Sequence, residues 1–392
     1  MTADPHLLCA LLRGHLDETG WESWDEAGWD SQVAEAHRQG VAPLVYWEFS
    51  RAGHLGRLPD TARSRLRHLY AATLMQNELR FKELESLSRA LSQARIPLVV
   101  LKGACYALTI YPDPGLRPMG DLDVLVPAAR LEEAVRIAHS LGYRETHPEA
   151  SPGLTQLLSH HVFLQKNTPP ASLEIHYSLV ADKTFKYAVA VDWFWEQVEP
   201  LASASSGRFE NLLMLTPTAQ LLYAASHLML QHGGYRAPLR WFHDLDRLIR
   251  HYEARLDWDL LLAQAGVFEW GSALRAAVAQ IEAYFETPVP PSARAALSAQ
   301  TDRHAALVAF KQEPSETHVL AEARALASLN WWGRLRLVLA LLVPSPAYMR
   351  WRYHFQGNGP LPRYYLLRWR GIFTDMLRTL SALGKKRSPG GS

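Results

Sequence analysis

Apolar positions change their spacing at a few places along the chain, and those changes divide it. Over residues 81–94, Leu84, Leu87 and Leu91 recur at steps of three and four while Lys82, Glu83, Glu85 and Arg89 fall off the stripe. That period predicts an amphipathic helix, and Pro97 closes it, because the residue before a proline is pushed out of the helical region. Residues 98–101 are continuously apolar with two valines, the pattern of a short buried strand. Lys102 and Gly103 end that strand, and residues 104–110 read as a helix. Residues 111–120 hold three prolines and two glycines and read as a loop. Residues 121–126 alternate acid and apolar before a Val-Leu-Val finish, a second strand. Pro127 opens a helix to about residue 141, with Gly142 as its stop. Residues 161–165 and 172–180 read as strands joined by a turn at 167–170. Beyond Pro217, residues 221–230, 239–252 and 260–285 are rich in Leu and Ala and read as helices, and Pro288, Pro290 and Pro291 mark a break.

The expected fold is therefore α/β (α+β), a mixed-sheet core flanked by helical regions at both ends. The expected organisation is a helical region over 1–94, an α/β core over 95–205 and a helical domain closing a cleft over 206–330. A basic, aromatic helical cap over 331–384 and a disordered tail over 385–392 complete it. Composition agrees with a folded chain: 48% of the 392 residues are apolar and 20% charged, which excludes a mainly disordered or fibrous protein. Two cysteines, Cys9 and Cys105, make no disulfide framework and no metal-ligand spacing, so a reducing, cytoplasmic compartment is expected. The apolar run at 7–12 is cut by Arg13, too short for a secretory core of about 7–15 residues. No run approaches the roughly 20 residues of a membrane span.

Chemistry concentrates in residues 98–126. Asp121 and Asp123 stand two apart on a predicted strand, so both carboxylates leave one face. Side by side they repel unless a cation sits between them, and Mg²⁺ prefers carboxylate oxygens together with substrate phosphates. Spacing alone is weak: with acids about a tenth of the chain, acid-x-acid arises about four times by chance, and Asp244/Asp246 and Asp257/Asp259 repeat it. What singles out Asp121 and Asp123 is their setting between a glycine-containing turn and an apolar run, since buried carboxylates need partners. Lys102 and Gly103 lie between a strand and a helix, where glycine permits close approach of a phosphate and a helix start favours anions. Glu174 sits on a later strand and completes a three-carboxylate cluster if the two strands are neighbours, and His176 shares its face. Arg117 offers a planar fork to a phosphate or to an acid, Asp113 or Asp121. His227 and His232 are five apart, which on an α-helix puts them on different faces. Asp244, on an apolar helix, either pairs with Arg240 or faces a ligand.

Strand, glycine turn, helix, acid-x-acid strand and a third acid on a later strand resemble the polymerase-β-like nucleotidyltransferase superfamily. The Leu-Lys-Gly … Tyr-Pro-Asp … Arg-Pro-Met-Gly-Asp-Leu-Asp-Val-Leu-Val string is similar to the bacterial nucleotidyltransferase family 5 over roughly residues 40–260. That family also tends to carry an acid-x-His pair, matched by Glu174 and His176, and a helical His…His…Asp segment, resembled by His227, His232 and Asp244. The resemblance implies transfer of a nucleotidyl group from an NTP, ATP among them, to a hydroxyl or phosphate acceptor on a small molecule, peptide or protein. It implies two Mg²⁺ ions on Asp121, Asp123 and Glu174, with these three as catalytic residues. It further implies Lys102, Gly103, Arg117 and Gly120 at the nucleotide, and His176, His227 and Asp244 as candidates for substrate contact. Members often lie in clusters for modified peptides. Gly103 is followed by Ala104, where the superfamily usually carries Gly or Ser. The alternatives are a non-catalytic nucleotide- or partner-binding module on a degenerate transferase fold, towards which Ala104 leans, and a toxin-like transferase acting on RNA or protein.

Charge divides the chain as well. Residues 331–392 carry eleven Lys and Arg against Asp375, a net +10, while the rest of the chain carries −8 within an overall +2. Aromatic residues interleave with those arginines. The segment reads as a cap lying over the acidic remainder, as a weak contact with an anionic membrane, or as a nucleic-acid contact; no motif for sequence-specific nucleic-acid reading is present, and nucleic acid is not expected.

Overall fold

In the computed structural model, residues 5–146, 148, 150–151, 158–180, 184–201, 208–209, 211–234, 237–313, 318–354 and 361–386 are described. The chain forms two compact units. The first comprises residues 1–144, 161–180 and 189–314, and the second residues 145–160, 181–188 and 315–392.

The first unit begins with helices α1 (Pro5–Leu12), α2 (Glu26–Arg38), α3 (Ala42–Arg51) and α4 (Asp60–Gln93). Trp21, Trp29 and Phe49 form their aromatic nucleus, with Trp21 and Phe49 edge-to-face at 5.1 Å. Helix α4 is far longer than the stretch its last apolar stripe predicts, because Ala62, Leu66, Thr73, Asn77 and Phe81 carry the same buried face back towards its start.

A six-stranded mixed sheet follows, in the order β3-β4-β2-β1-β6-β5. Strand β1 (Leu98–Val100) leads into α5 (Lys102–Thr109), and β2 (Leu122–Leu125) lies antiparallel to β1. Helix α6 (Leu131–Ser140) then packs behind. Strands β3 (His161–Asn167) and β4 (Pro170–His176) make the predicted hairpin, with a cis bond between Thr168 and Pro169 at its tip. Strand β4 lies parallel to β2, placing Asp123 opposite Glu174 and Leu125 opposite His176.

Two strands go beyond the sequence reading. After the short helix α7 (Asp192–Glu196), β5 (Val198–Pro200) and β6 (Leu212–Leu215) add to the sheet, with β6 parallel to β1. Residues 212–215 are Leu-Leu-Met-Leu, with no β-branched residue and no alternation, so their pattern does not distinguish a strand from a helix. The helical remainder comprises α8 (Pro217–Ser226), α9 (Leu239–His251), α10 (Trp258–Val267), α11 (Gly271–Phe285), α12 (Pro291–Ala299) and α13 (Ala305–Gln312). The single helix expected over 260–285 is two, divided where Glu269 takes a left-handed φ of 56°.

Among the described residues of the second unit, the helices are α14 (His318–Ser328), α15 (Trp331–Leu342), α16 (Pro346–Arg352) and α17 (Pro362–Lys386). Asn330 caps α15 by accepting from the Gly333 N–H at 2.9 Å.

The loop before β2 is tied to α4 by one buried side chain. Asn77 Nδ2 donates to the carbonyls of Pro114 at 2.6 Å and Arg117 at 2.8 Å. Replacing Asn77 by Ala leaves both carbonyls without this donor. Asn77→Ala is expected to lower unfolding stability by about 1–3 kcal/mol, read as a fall in the urea midpoint; an unchanged midpoint would show that the loop does not depend on this tie.

Candidate active site

The site forms where β1, β2 and β4 come together. Asp121 immediately precedes β2 and Asp123 is its second residue, so pleating sends both carboxylates to one face. Glu174 faces Asp123 across the parallel register, so the conditional third carboxylate of the sequence reading is in place. His176 Nε2 lies 2.9 Å from Asp123 Oδ1 and 3.3 Å from Glu174 Oε2, fully buried between them. Ligand atoms of Asp123, Glu174 and His176 all fall within 4.8 Å of one another, a grouping able to hold a metal ion. His161, opposite His176 in the hairpin, brings its Nε2 to 3.6 Å from Glu174 Oε1. Burial and the neighbouring His176 push its imidazole down to about 4, which keeps it neutral. The sequence reading did not mark His161 as part of the site, because only the β3–β4 register brings it there.

Charge in this cluster is balanced unevenly. Lys102 Nζ donates to Asp123 Oδ1 at 2.9 Å. Burial would raise the Asp123 carboxyl, but Lys102 and His176 outweigh it and hold the carboxyl well below its usual range. Lys102 and Arg80 act on Asp121 only through space, and burial with the adjacent Asp123 and Glu174 pushes it up to about 6. Lys102 sits in the left-handed region at φ 43°, an unusual backbone for a non-glycine residue, at the first position of α5. Its ammonium lies 5.7 Å from the Tyr223 ring centroid.

The flanking loop is held by a buried ion pair. Arg117 donates through Nε and Nη2 to both carboxylate oxygens of Asp244, with Nε to Oδ1 at 2.8 Å and Nη2 to Oδ2 at 2.6 Å. Asp244 thus takes Arg117 as its partner, not the expected Arg240, and Arg117 takes neither Asp113 nor Asp121. The side chain of Met119 packs against Gly103, where a Cβ would lie 3.2 Å from Met119 Cγ and 3.6 Å from Arg117 Nη1. Gly103 therefore gives close approach to this loop. At Gly120 a Cβ would meet nothing within 4 Å, so that side of the loop is open. Tyr111 donates to Asp244 Oδ1 at 2.8 Å, and its oxygen lies 2.9 Å from His243 Nδ1. One proton order satisfies this chain: His243 Nδ1–H to Tyr111, and Tyr111 O–H to Asp244. His243 and Tyr111 also line a separate cavity of about 580 Å³ with Arg13, Arg51, Arg247 and Arg250, which none of the three site carboxylates reaches.

The two helical histidines meet, against the sequence expectation. Residues 227–231 form a π-helical turn, in which the His232 N–H bonds to the His227 carbonyl at 3.2 Å. A turn closed five residues back stacks positions that an α-helix would separate. The two Nε2 atoms lie 3.2 Å apart, and Trp241 packs on both rings. Gly233 ends the turn at φ 75°, where a Cβ would lie 2.7 Å from the Lys311 carbonyl oxygen. His232 is within electrostatic reach of Lys102, Glu174 and Asp123.

In comparison with known proteins, the family model described as uncharacterised nucleotidyltransferase matches residues 25–286. No curated protein and no solved structure matches the chain.

Burial, with Arg247, Arg117 and Arg250, pushes the His243 imidazole down to about 3. In the unfolded chain it takes a proton near pH 6.5. Below that pH the unfolded state binds more protons than the folded one, so this contribution to stability is complete above about 6.5 and is lost as the pH falls towards 3. The urea midpoint of the protein is expected to drop between about pH 7 and pH 5, and His243→Gln to flatten that slope. Equal slopes in the two proteins would refute a neutral, buried His243.

Proposed function

The chain belongs to the uncharacterised nucleotidyltransferase family and is a transferase of nucleotidyl groups; from that premise we propose that it moves a nucleotidyl group from an NTP to a hydroxyl or phosphate acceptor at the Asp121/Asp123/Glu174 cluster. The observation that carries this reading is the parallel pairing of β2 and β4, which sets Glu174 beside Asp123. Among the described residues, Asp123 of the Asp121/Asp123 pair has a third carboxylate, Glu174, and the His176 imidazole gathered on it.

A divalent cation fits the donors present. Two carboxylates and an imidazole nitrogen converge, and Asp121, raised by burial and then by the adjacent Asp123 and Glu174, adds a carboxylate whose charge a cation would relieve. Asp121, Asp123 and Glu174 would hold Mg²⁺, two ions in this reading, with His176 beside them. Such ions, when bound, neutralise the phosphates and stabilise the entering and leaving oxygens of an in-line displacement. The protein's own groups do the rest. Lys102, with Gly103 and Gly120 at the borders of the site, meets the β- and γ-phosphates. Glu174 takes the proton of the acceptor hydroxyl as its oxygen bonds to the α-phosphorus, and the bond from that phosphorus to the β-phosphate breaks to release pyrophosphate. Arg117 and Asp244, bound to each other, position the 117–120 loop. His227, with His232 and Trp241, offers a ring surface to the base or the acceptor.

The reading is tested by calorimetric titration of each NTP, with and without Mg²⁺, against the wild type and the Asp121→Ala/Asp123→Ala variant, with thermal unfolding as the control for folding. Mg²⁺-dependent binding of at least one NTP is expected in the wild type, weakened at least about a hundredfold in a folded variant, as loss of a metal-held phosphate contact worth several kcal/mol requires. A well-folded wild type that binds no NTP would overturn this reading in favour of a degenerate, partner-binding module.

A further inference from the structure

We propose that the second unit is a membrane-surface module, and that helices α15 and α17 lie on an anionic lipid surface. Of the seventeen exposed large apolar residues among those described, fourteen fall between residues 331 and 373. They are ordered. On α15, Trp331, Leu335, Val338 and Leu342 recur at steps of three and four and form one stripe, with Trp331 73% exposed. On α17, Leu366, Trp369 and Phe373 repeat the pattern. Such a stripe normally faces a protein core; here both face outwards.

The two helices are fastened together rather than loosely trailing. Arg368 Nε donates to the Leu341 carbonyl at 2.8 Å, and Trp369 Nε1 to the Leu342 carbonyl at 2.6 Å. Side chains of α17 thereby satisfy carbonyls that the last turn of α15 leaves open.

Charge names the partner. Residues 331–392 hold eleven basic residues and a single acid. Among the described residues, Arg334, Arg336, Arg350, Arg352, Arg363 and Arg370 form no ion pair with a carboxylate. Instead Arg336 lies 5.6 Å from the Trp332 ring and Arg363 5.7 Å from the Tyr364 ring. Protein interfaces also gather Arg beside aromatic side chains, but eleven bases against a single acid call for a partner surface that is broadly anionic. That mixture suits the headgroup boundary, where aromatic and aliphatic groups enter the lipid and arginines meet its phosphates. No helix of the described residues is long and apolar enough to cross a membrane, so the module would lie in the surface plane.

The inference does not depend on nucleotidyl transfer, and its test reads lipid binding alone. The full chain is floated with vesicles of phosphatidylcholine, and with vesicles that also contain phosphatidylglycerol, at low and high salt. Expected is at least about tenfold more bound protein on the anionic vesicles, reversed by salt; each arginine near such a surface strengthens binding roughly fivefold. Two variants, Leu335→Ser/Leu339→Ser/Leu366→Ser/Phe373→Ser and Arg350→Gln/Arg352→Gln/Arg363→Gln/Arg370→Gln, change exposed positions and should each lose at least about tenfold of that binding with unchanged thermal unfolding. Equal binding to both vesicles, or variants that bind as the wild type does, would overturn the proposal. So would a wild-type dimer that the serine variant dissociates, since a second copy would then cover the stripe, or capture of an oligonucleotide by a chain that ignores vesicles.

Discussion

Negative charge crowded onto one small area of sheet is the constraint around which the first unit is arranged. Asp121, Asp123 and Glu174 share a face, and burial makes their mutual repulsion stronger than it would be in water. The fold answers with positive charge and hydrogen bonds brought from separate elements. Lys102 comes from the end of β1, forced into a left-handed backbone as α5 begins, and His176 comes from the same strand as Glu174. Asp123 alone is compensated by both. Burial and the other two carboxylates leave Asp121 with a carboxyl raised to about 6.

Around that centre lies a layer that touches no substrate in this reading yet fixes the geometry. The Arg117–Asp244 pair joins the loop before β2 to helix α9, Asn77 joins the same loop to α4, and Met119 fills the space that Gly103 leaves. Three helices and a strand thereby agree on where the 117–120 backbone runs.

Much of this was legible in residue order. The run from Leu98 to the Val-Leu-Val finish placed two strands, a helix between them and two acids on one face, and all are present, with α5 starting at Lys102. The family resemblance read from that run is matched by the family model. What order alone did not carry was pairing. Glu174 could join the acids only if β4 lay beside β2, and His161 became a neighbour of Glu174 only through the hairpin register. Arg117 has an acid close by in sequence, yet its partner is 127 residues away, since burial selects the carboxylate that can be reached with both ends of the fork. The histidine pair is hidden for a different reason: a spacing of five separates two side chains on a 3.6-residue turn, and the local π-turn changes that period. Strands β5 and β6 escaped because Leu and Met are as much at home in a buried helix as in a buried strand.

The bidentate Arg117–Asp244 bond also bears on how this chain can change over time. Removing either partner of a buried ion pair strands the other charge and destabilises by about 3–5 kcal/mol, while exchanging both for apolar groups of similar volume is often neutral. Each single step away from the pair is therefore far worse than the double step. Two positions 127 residues apart are locked into a common history: a lineage can keep both or lose both, and an isolated substitution at either survives only where the chain has stability to spare.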